Sequence, residues 1–247
     1  MRYFIEVSYN GYNYSGFQIQ PNASTIQGEL ENAFLVLLKQ KVQLTGSSRT
    51  DAQVHAMQNF FHFDIENEID LSITYNLNAI LPSTIAVVQL LLVNANAHAR
   101  FSATARQYTY HIHTTKQPFL LHKSYYYPFR LDISKLNESA AIILNNTNFI
   151  SFCKSNAQVN SFDCTIMQSN WHIVSNTNYT YTVMANRFLR GMVKALVGTS
   201  LLYAHNKISI EQFKSLFSSE SNTKANFTPP GYGLFLTNVV YPKNIFL

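Results

Sequence analysis

Strand-like and helix-like patterns alternate along this 247-residue chain in the order β-α-β-β-α-β, and the order occurs twice. In the first half a helix begins at the capping box Ser24-Thr25-Ile26-Gln27, and a second helix covers about 70–81, with Ile73, Leu77 and Ile80 facing inward. Strands alternate in hydrophobicity with a period of two, which predicts them near residues 2–9, 42–46, 57–65 and 84–93.

The second half repeats the pattern, with two additional elements near its end. Strands are predicted near residues 104–113, 165–174, 178–186 and 234–241. Helices are predicted near 132–146 and 187–203, followed by a short one capped by Ser209 and Gln212.

This order predicts an α+β fold made of two tandem ferredoxin-like (βαββαβ) units with mainly antiparallel sheets. We expect two domains, residues 1–97 and residues 98–247. No sequence repeat is visible, so the duplication is inferred from element order alone. Two sheets that meet edge to edge would leave a central cleft of the size in which nucleic acids bind.

Composition favours a globular protein with a polyanionic partner. Hydrophobic residues make up 47% of the chain, and Lys and Arg exceed Asp and Glu by 18 to 13, which gives a net charge of +5. Together with many Tyr, Phe and Asn residues, this charge suits RNA that is both stacked upon and hydrogen-bonded. The alternative, that the charge only keeps the protein soluble, carries equal weight.

Cysteine usage and hydropathy argue against a secreted, a zinc-binding or a membrane protein. The two cysteines, Cys153 and Cys164, form no CxxC motif and have no zinc-ligand spacing, which predicts a reduced cytoplasmic protein without a structural metal. The amino terminus has the pattern of a strand rather than of a signal peptide. The longest apolar run, 85–93, is half the length that a membrane span needs, so no membrane role is expected.

The segment Gly46–Ala56 places Arg49, Asp51 and His55 in a loop between two predicted strands. A strand pair that needs only a turn is served by two to five residues, so a longer loop with these side chains indicates a site. Taken alone, an aspartate after a threonine is more often a turn-former or a helix N-cap. The function of this loop therefore depends on the rest of the chain.

Two further groups could face the cleft. Arg106, Tyr108 and Tyr110 share one face of the strand at 104–113; we expect Tyr110 to be a half-buried strand residue and Tyr108 to stack on a base. Arg187, Arg190 and Lys194 recur at i, i+3 and i+7, which would place them on one side of the helix at 187–203. Three cations without an interleaved acid favour an anionic partner: one could pair with Asp51 and the others could reach phosphates.

The loop sequence Gly46-Ser47-Ser48-Arg49-Thr50-Asp51-Ala52-Gln53-Val54-His55-Ala56 resembles the GRTDAGVHA signature of the tRNA pseudouridine synthase A (TruA) family. The resemblance extends in order over essentially the whole chain. Its other motifs are Gly16-Phe17-Gln18-Ile19-Gln20-Pro21-Asn22, Gln27-Gly28-Glu29-Leu30, His98-Ala99-Arg100-Phe101-Ser102-Ala103, Arg106-Gln107-Tyr108-Thr109-Tyr110, Asn148-Phe149-Ile150-Ser151-Phe152, the segment from Phe188 to Thr199, and Gly233-Leu234-Phe235-Leu236.

The resemblance implies a homodimer that binds the anticodon arm of tRNA and converts uridines at tRNA positions 38, 39 and 40 to pseudouridine. It implies that Asp51 is the catalytic aspartate, that Arg49 assists extrusion of the target uridine, and that Tyr108 stacks on the flipped base. Lys194 falls where the family usually has an arginine that pairs with the aspartate. The reaction is redox-neutral, so neither a cofactor nor a metal is expected.

Several further residues are candidates for contact with the RNA or the detached uracil. Leu236, with Leu234, could form an apolar floor that excludes water from the site. Four more residues are candidates for RNA contact, with a structural role as the equal alternative for each: Gln18, Asn22, His98 and Arg100.

The chain departs from the family pattern at four positions. Ser48 and Gln53 stand where glycines are common, Phe17 where tryptophan is usual, and Lys194 where arginine is usual. A side chain at residue 53 would be strained if its φ were positive, and lysine lacks the planar two-pronged grip of guanidinium. Lower activity or altered substrate choice would follow.

Two alternative functions remain open. A catalytically weak or inactive tRNA-binding protein or folding aid would keep the basic cleft without the reaction. A hydrolase would use His55 or His62 with Ser47 or Ser48, but no nucleophile-elbow sequence is present and His62 alternates with Phe61 and Phe63, as a strand residue would.

Overall fold

The computed structural model describes residues 1–70, 72–155, 159–221 and 223–247. Leu71, inside the helix expected at 70–81, lies outside these residues. The chain forms two compact units: the first contains Met1–Arg106 and Phe235–Leu247, and the second contains Gln107–Leu234. The boundary that we expected at residue 97 thus differs from the observed division, in which the final segment belongs to the first unit.

The first unit is built on a sheet whose strand order is β4-β1-β3-β9, with β2 also paired to β3. The strands β1, β2, β3 and β4 pair antiparallel, whereas β3 and β9 pair in parallel. The elements are β1 (Arg2–Tyr9), α1 (Ile26–Leu38), β2 (Thr45–Gly46), β3 (His55–Asp64), α2 (Ile73–Ile80), β4 (Ile85–Val93) and the greater part of β9 (Leu234–Val240).

The two helices of the first unit begin and bury residues largely as the sequence predicts. Thr25 rather than Ser24 caps α1, since its side chain accepts a hydrogen bond from the Gly28 amide. Ile73 and Leu77 of α2 are buried as expected, but Ile80 is 39% exposed. The inward orientation predicted for Ile80 is therefore wrong, because the helix is shorter than expected and Ile80 is its last residue.

The second unit has the strand order β5-β8-β7, and β6 pairs in parallel with β5. Its core includes Tyr110, Phe149, Phe152 and Tyr181, all fully buried. The elements are β5 (Ala105–His113), β6 (Tyr125–Tyr126), α3 (Ile133–Leu144), β7 (Ile166–Ser175), β8 (Asn178–Ala185), α4 (Met192–Ala204) and α5 (Ile210–Ser215).

A mixed α+β fold with mostly antiparallel strand pairing is confirmed. The capping box predicted at the last helix is also confirmed: Ser209 accepts from the Gln212 amide, and the Gln212 side chain accepts from the Ser209 amide. Among the helices of the described residues, none is both long and apolar enough to cross a bilayer.

Candidate active site

The loop of residues 47–54 connects β2 to β3 in the first unit, and its backbone is held at several points. The Ser47 amide donates to the Phe60 carbonyl at 2.7 Å, and the Val54 amide donates to the Asp51 carbonyl at 3.2 Å. The second bond closes a four-residue turn that begins at the aspartate of the arginine-threonine-aspartate segment. Asp51 therefore stands at the first position of a hydrogen-bonded turn.

A buried polar cluster lies beneath this loop. The Asn59 amide group accepts from Ser47 Oγ at 2.8 Å and donates to the Ser48 carbonyl at 3.3 Å and the Tyr9 hydroxyl at 3.1 Å. The Tyr9 hydroxyl in turn lies 2.9 Å from Thr50 Oγ1. These bonds attach the first half of the loop to β1 and β3.

A second loop, between β1 and α1, packs on the other side of the same segment. The Phe17 amide donates to the Thr50 carbonyl at 3.1 Å, and the Phe17 ring is buried against Phe61 at 4.8 Å. Gly16 has φ +104, and a Cβ there would lie 2.9 Å from the Thr50 oxygen, so only glycine permits this approach. Gln18 and Asn22 are exposed on the same loop.

The two charged residues of the loop remain accessible. Asp51 is partly exposed and Arg49 is exposed. Among the described residues of the first unit, neither side chain has a hydrogen-bonding or ion-pairing partner. A carboxylate held by its backbone yet left without local partners is available to a ligand, which is an arrangement typical of a functional site.

Gln53 has φ +67, so the strain anticipated at this position is present. Ser48, the other residue at a position where glycine is common, is not among the residues with a positive φ and carries no such strain. The Gln53 amide donates to the Tyr14 carbonyl at 3.3 Å, which fixes the strained conformation from outside the turn. Asn22, at φ +56, is a residue type that tolerates this region better.

We expect Gln53→Gly to stabilise the protein by about 1 kcal/mol, because glycine adopts a positive φ without the Cβ clash. This is the net effect after subtracting the conformational entropy that glycine adds to the unfolded chain. Urea unfolding followed by circular dichroism measures the difference. Gln43→Gly, at an exposed loop position with an ordinary φ, is the matched control and should destabilise the protein. Destabilisation by both changes would contradict the strain at residue 53.

The two histidines of the hydrolase alternative have structural roles. His55 is buried, its Nδ1 accepts from the Gly11 amide at 3.2 Å, and its ring stacks on Phe235 at 4.4 Å. His62 Nδ1 accepts from the Ala99 amide at 3.2 Å, and burial lowers its pKa to about 4. Ser47 Oγ donates to Asn59 Oδ1, so this serine is engaged in the polar cluster beneath the loop.

His98 and Arg100 lie in a turn that precedes β5. His98 Nδ1 accepts from the amides of Arg100 and Phe101 at 3.1 and 3.3 Å, and the Arg100 guanidinium lies 5.6 Å from the centre of the Phe101 ring. Phe101 is 75% exposed, although sequence patterns did not single it out. Its position directly after Arg100, and three residues after His98, was the available signal.

Arg106 is an internal residue rather than one that faces a cleft beside Tyr108. It is buried, and its guanidinium donates to the carbonyls of Ala103 at 3.0 Å, Ser47 at 3.4 Å and Arg100. The expected orientation toward the cleft is therefore corrected. Arg106 instead ties the turn at 98–103 to the start of the Asp51 loop.

Leu236 is fully buried in the first unit, where Ala56 is its partner in the parallel pairing of β3 and β9. It thus lies beside the strand that begins one residue after the Asp51 turn. Leu234, which belongs to the second unit, is also buried.

In the second unit, Tyr108 lies on β5 and is 9% exposed. Its ring packs edge-to-face with the Phe188 ring, with 5.1 Å between the ring centres and an interplanar angle of 86°. The neighbouring aromatic edge fixes the ring orientation. Tyr110 is fully buried rather than half-buried, and its hydroxyl donates to the Pro230 carbonyl at 2.8 Å.

The three cations predicted on one helix face do not share a helix. Helix α4 begins at Met192, so Arg187 and Arg190 lie in the segment before it, and only Lys194 is in its first turn. Gly191 has φ +73, a left-handed conformation that an α-helix cannot continue through. Arg190 is exposed, whereas Arg187 and Lys194 are partly exposed.

Two more cations approach this segment and were missed by sequence reasoning. The Lys154 amide donates to the Arg190 carbonyl at 3.0 Å, and the Lys154 side-chain carbons lie against Gly191. Burial raises the pKa of the nearby Cys153 thiol, while the charges of Lys224, Arg187 and Arg190 oppose that rise. The cations come from distant parts of the chain, so only the fold identifies this basic group.

Within the described residues, no three His, Cys, Asp or Glu side chains lie close enough together to form a metal site.

Comparisons with known proteins identify the family of this chain. Residues 5–102 and 140–242 match the family described as tRNA pseudouridine synthase. The tRNA pseudouridine synthase A of Parabacteroides distasonis is 39% identical to this chain, and that of Bacteroides fragilis is 40% identical; each alignment covers 99% of this chain and 98% of the relative. The tRNA pseudouridine synthase A of Bacillus subtilis is 36% identical over 98% of this chain and 99% of its own length. The chain therefore belongs to the tRNA pseudouridine synthase family.

Proposed function

We propose that this protein isomerises uridine to pseudouridine at positions 38, 39 and 40 in the anticodon arm of tRNA, with Asp51 as the catalytic carboxylate. The observation that carries the proposal is the loop of residues 47–54, which is hydrogen-bonded at several points while the Asp51 carboxylate stays accessible. We further propose that the enzyme acts as a homodimer and that its two units are tandem ferredoxin-like units meeting at an RNA-binding cleft.

The chemistry requires a carboxylate but no redox partner. The bond from uracil N1 to ribose C1′ breaks, the base turns, and C5 bonds to C1′; C5 loses its proton and N1 gains one. Asp51 attacks C1′ or C6 as a nucleophile, or removes the C2′ proton as a base to give a glycal. In each of these routes the carboxylate reacts in its ionised form.

The target nucleotide must leave the stacked helix before it can react, at a cost of a few kcal/mol. We propose that Arg49, which is exposed beside Asp51, occupies the space that the uridine leaves. Tyr108 would stack on the flipped base, since its ring orientation is already set by Phe188. Leu236, with Leu234, would form the apolar floor that keeps water from the detached uracil.

Cationic side chains of the second unit suit the remaining tasks. We propose that Lys194 offsets the Asp51 charge when the base covers that carboxylate, and that Arg187 and Arg190 contact phosphates. Gln18, Asn22, His98 and Arg100 are proposed RNA contacts from the first unit.

We expect Arg190→Ala to weaken tRNA binding and to reduce the dependence of affinity on salt, because the variant releases fewer counterions on binding. The slope of log affinity against log salt should fall by about one. Filter binding at several salt concentrations measures it. Arg130→Ala, the same charge change at another exposed position, is the control and should keep the wild-type slope. An unchanged slope for Arg190→Ala would remove this residue from the phosphate contacts.

The proposed function is tested by mapping pseudouridine in tRNA from cells with and without this gene. Loss of pseudouridine at positions 38, 39 and 40, restored by the wild-type gene, is the expected result. Restoration of a growth phenotype by both wild type and Asp51→Asn, with no pseudouridine formed by either, would favour the alternative of a tRNA-binding protein or folding aid.

A further inference from the structure

Asn59 lies in the middle of β3 and is completely buried, at 0% exposure. Its side chain makes four hydrogen bonds. Oδ1 accepts from Ser47 Oγ at 2.8 Å and from the Phe60 amide at 3.0 Å, and Nδ2 donates to the Tyr9 hydroxyl at 3.1 Å and the Ser48 carbonyl at 3.3 Å. A single amide group thus connects β1, β3 and the start of the Asp51 loop.

A fully buried amide is costly to the folded state unless its polar atoms are paired. An apolar residue would fill the same space among the neighbouring phenylalanines of β3 without that cost. Two of the four bonds, those to Ser47 and Ser48, reach the loop, and a third orients Tyr9. The polar side chain therefore serves the loop rather than the packing of the sheet.

Tyr9 extends the connection to the residue before Asp51. Its hydroxyl accepts from Asn59 Nδ2, so its own proton is free to bond Thr50 Oγ1 at 2.9 Å. Burial raises the pKa of Tyr9 to about 12, which keeps the hydroxyl protonated at neutral pH. The register of β1 on β3, with Val7 opposite Asn59 and Tyr9 opposite Ala56, brings these side chains together.

The other end of the loop explains why such a connection matters here. Gln53 is held at φ +67, a conformation that a non-glycine residue leaves readily when it is not constrained. Relaxation of that strain would change the turn of residues 51–54, of which Asp51 is the first residue. A displacement of about 1 Å in a reacting group can lower a rate on the order of 100-fold.

We propose that Asn59 and Tyr9 are positioning residues for pseudouridine formation, which fix the Asp51 carboxylate by holding Ser47, Ser48 and Thr50. The proposal rests on the proposed function of Asp51. It predicts a loss in the rate of the chemical step, because these buried groups touch the loop from the side away from solvent and make no contact with RNA.

Tyr9→Phe is the central test, with Tyr181→Phe as its matched control. Tyr181 is also buried, and its hydroxyl lies 2.9 Å from Ser169 Oγ in the second unit, so each change removes a buried, hydrogen-bonded tyrosine hydroxyl; Tyr9→Phe additionally removes the bond from Asn59. With saturating enzyme and tRNA labelled with tritium at uridine C5, we expect the single-turnover rate of Tyr9→Phe to fall about 10-fold while its tRNA Kd stays within about twofold. Tyr181→Phe should also lose thermal stability but keep the wild-type rate. Equal rates for the two variants would overturn the proposal.

Substitutions at Thr50 provide the rescue experiment. Thr50→Val removes the hydroxyl that Tyr9 bonds and should be about as slow as Tyr9→Phe, whereas Thr50→Ser keeps the hydroxyl and should restore most of the rate. The double variant Tyr9→Phe/Thr50→Val should be no slower than Tyr9→Phe alone, because Tyr9→Phe already removes the bond between Tyr9 and Thr50. A Thr50→Ser variant as slow as Thr50→Val, or rate losses that multiply in the double variant, would contradict the positioning role.

Asp51→Asn separates this inference from the function on which it rests. If Asp51→Asn is inactive while Tyr9→Phe and Thr50→Val keep the wild-type rate, only the positioning role is wrong. If Asp51→Asn keeps the wild-type rate, the proposed role of Asp51 is wrong, and the positioning role is wrong with it.

Discussion

Asp51→Asn is expected to lower the rate of pseudouridine formation by about 1,000-fold or more while tRNA still binds. Asparagine has nearly the shape of aspartate but is neither a base nor a useful nucleophile, so every route open to the carboxylate is lost. The loop should keep its conformation, because its fixed points are backbone groups and the Ser47, Thr50, Tyr9 and Asn59 side chains. Single-turnover tritium release from tRNA labelled at uridine C5 measures the rate, and filter binding measures affinity.

Asp70→Asn is a suitable control for this experiment. Asp70 is an exposed aspartate of the first unit whose Oδ1 accepts from the Ser72 amide at 2.9 Å, a bond that asparagine can also accept. We expect this variant to have wild-type rate and affinity. Wild-type activity in Asp51→Asn would show that a different group performs the chemistry.

Regular elements of this fold follow from the sequence because local patterns determine them. Alternating or continuously apolar runs identified the long strands to within two residues at each end, and the Ser209–Gln212 capping box located helix α5. The strand expected at 42–46 is reduced to Thr45–Gly46, because its residues before Thr45 do not pair with β3.

The helix expected at 187–203 shows the limit of periodicity. The spacing of Arg187, Arg190 and Lys194 fits a helix, yet Gly191 adopts a left-handed conformation between the last two and α4 starts after it. Periodicity reports which residues could share a face, but it contains no information on the backbone angles of an individual glycine. Arg187 and Arg190 therefore lie in a loop and Lys194 in the first turn of α4, rather than all three on one helix face.

Some features of the candidate site could likewise be predicted from the sequence, and others could not. The strain at Gln53 could be anticipated, because its neighbours match a motif in which glycine is common at that position, and φ is indeed positive. The cluster of Tyr9, Asn59 and Thr50 could not, because it joins residues 41 and 50 positions apart through the register of β1 on β3. Buried polar contacts of this kind depend on strand pairing, which a single sequence does not specify.

Lys194→Met should lower the rate of pseudouridine formation by about 100-fold, the second-largest loss that we expect. Lys194 lies in the first turn of α4 and is partly exposed. In the proposed function its ammonium group offsets the Asp51 charge when the flipped base excludes water, and an enclosed carboxylate without a cation is costly to keep ionised. Methionine retains the length and the apolar stem of lysine but removes the charge. Single-turnover rates and tRNA affinity are the quantities to measure.

Lys194→Arg and Lys207→Met complete the experiment. Arginine restores the charge and adds a planar two-pronged grip on the carboxylate, so its rate should equal or exceed that of the wild type. Lys207 lies beyond the other end of α4, whose last residue is about 15 Å from Lys194 at 1.5 Å per residue, and its replacement should leave the rate unchanged. If Lys194→Met reduced tRNA affinity but not the single-turnover rate at saturation, Lys194 would be a phosphate contact, because loss of the Asp51 counter-ion must slow the chemical step itself.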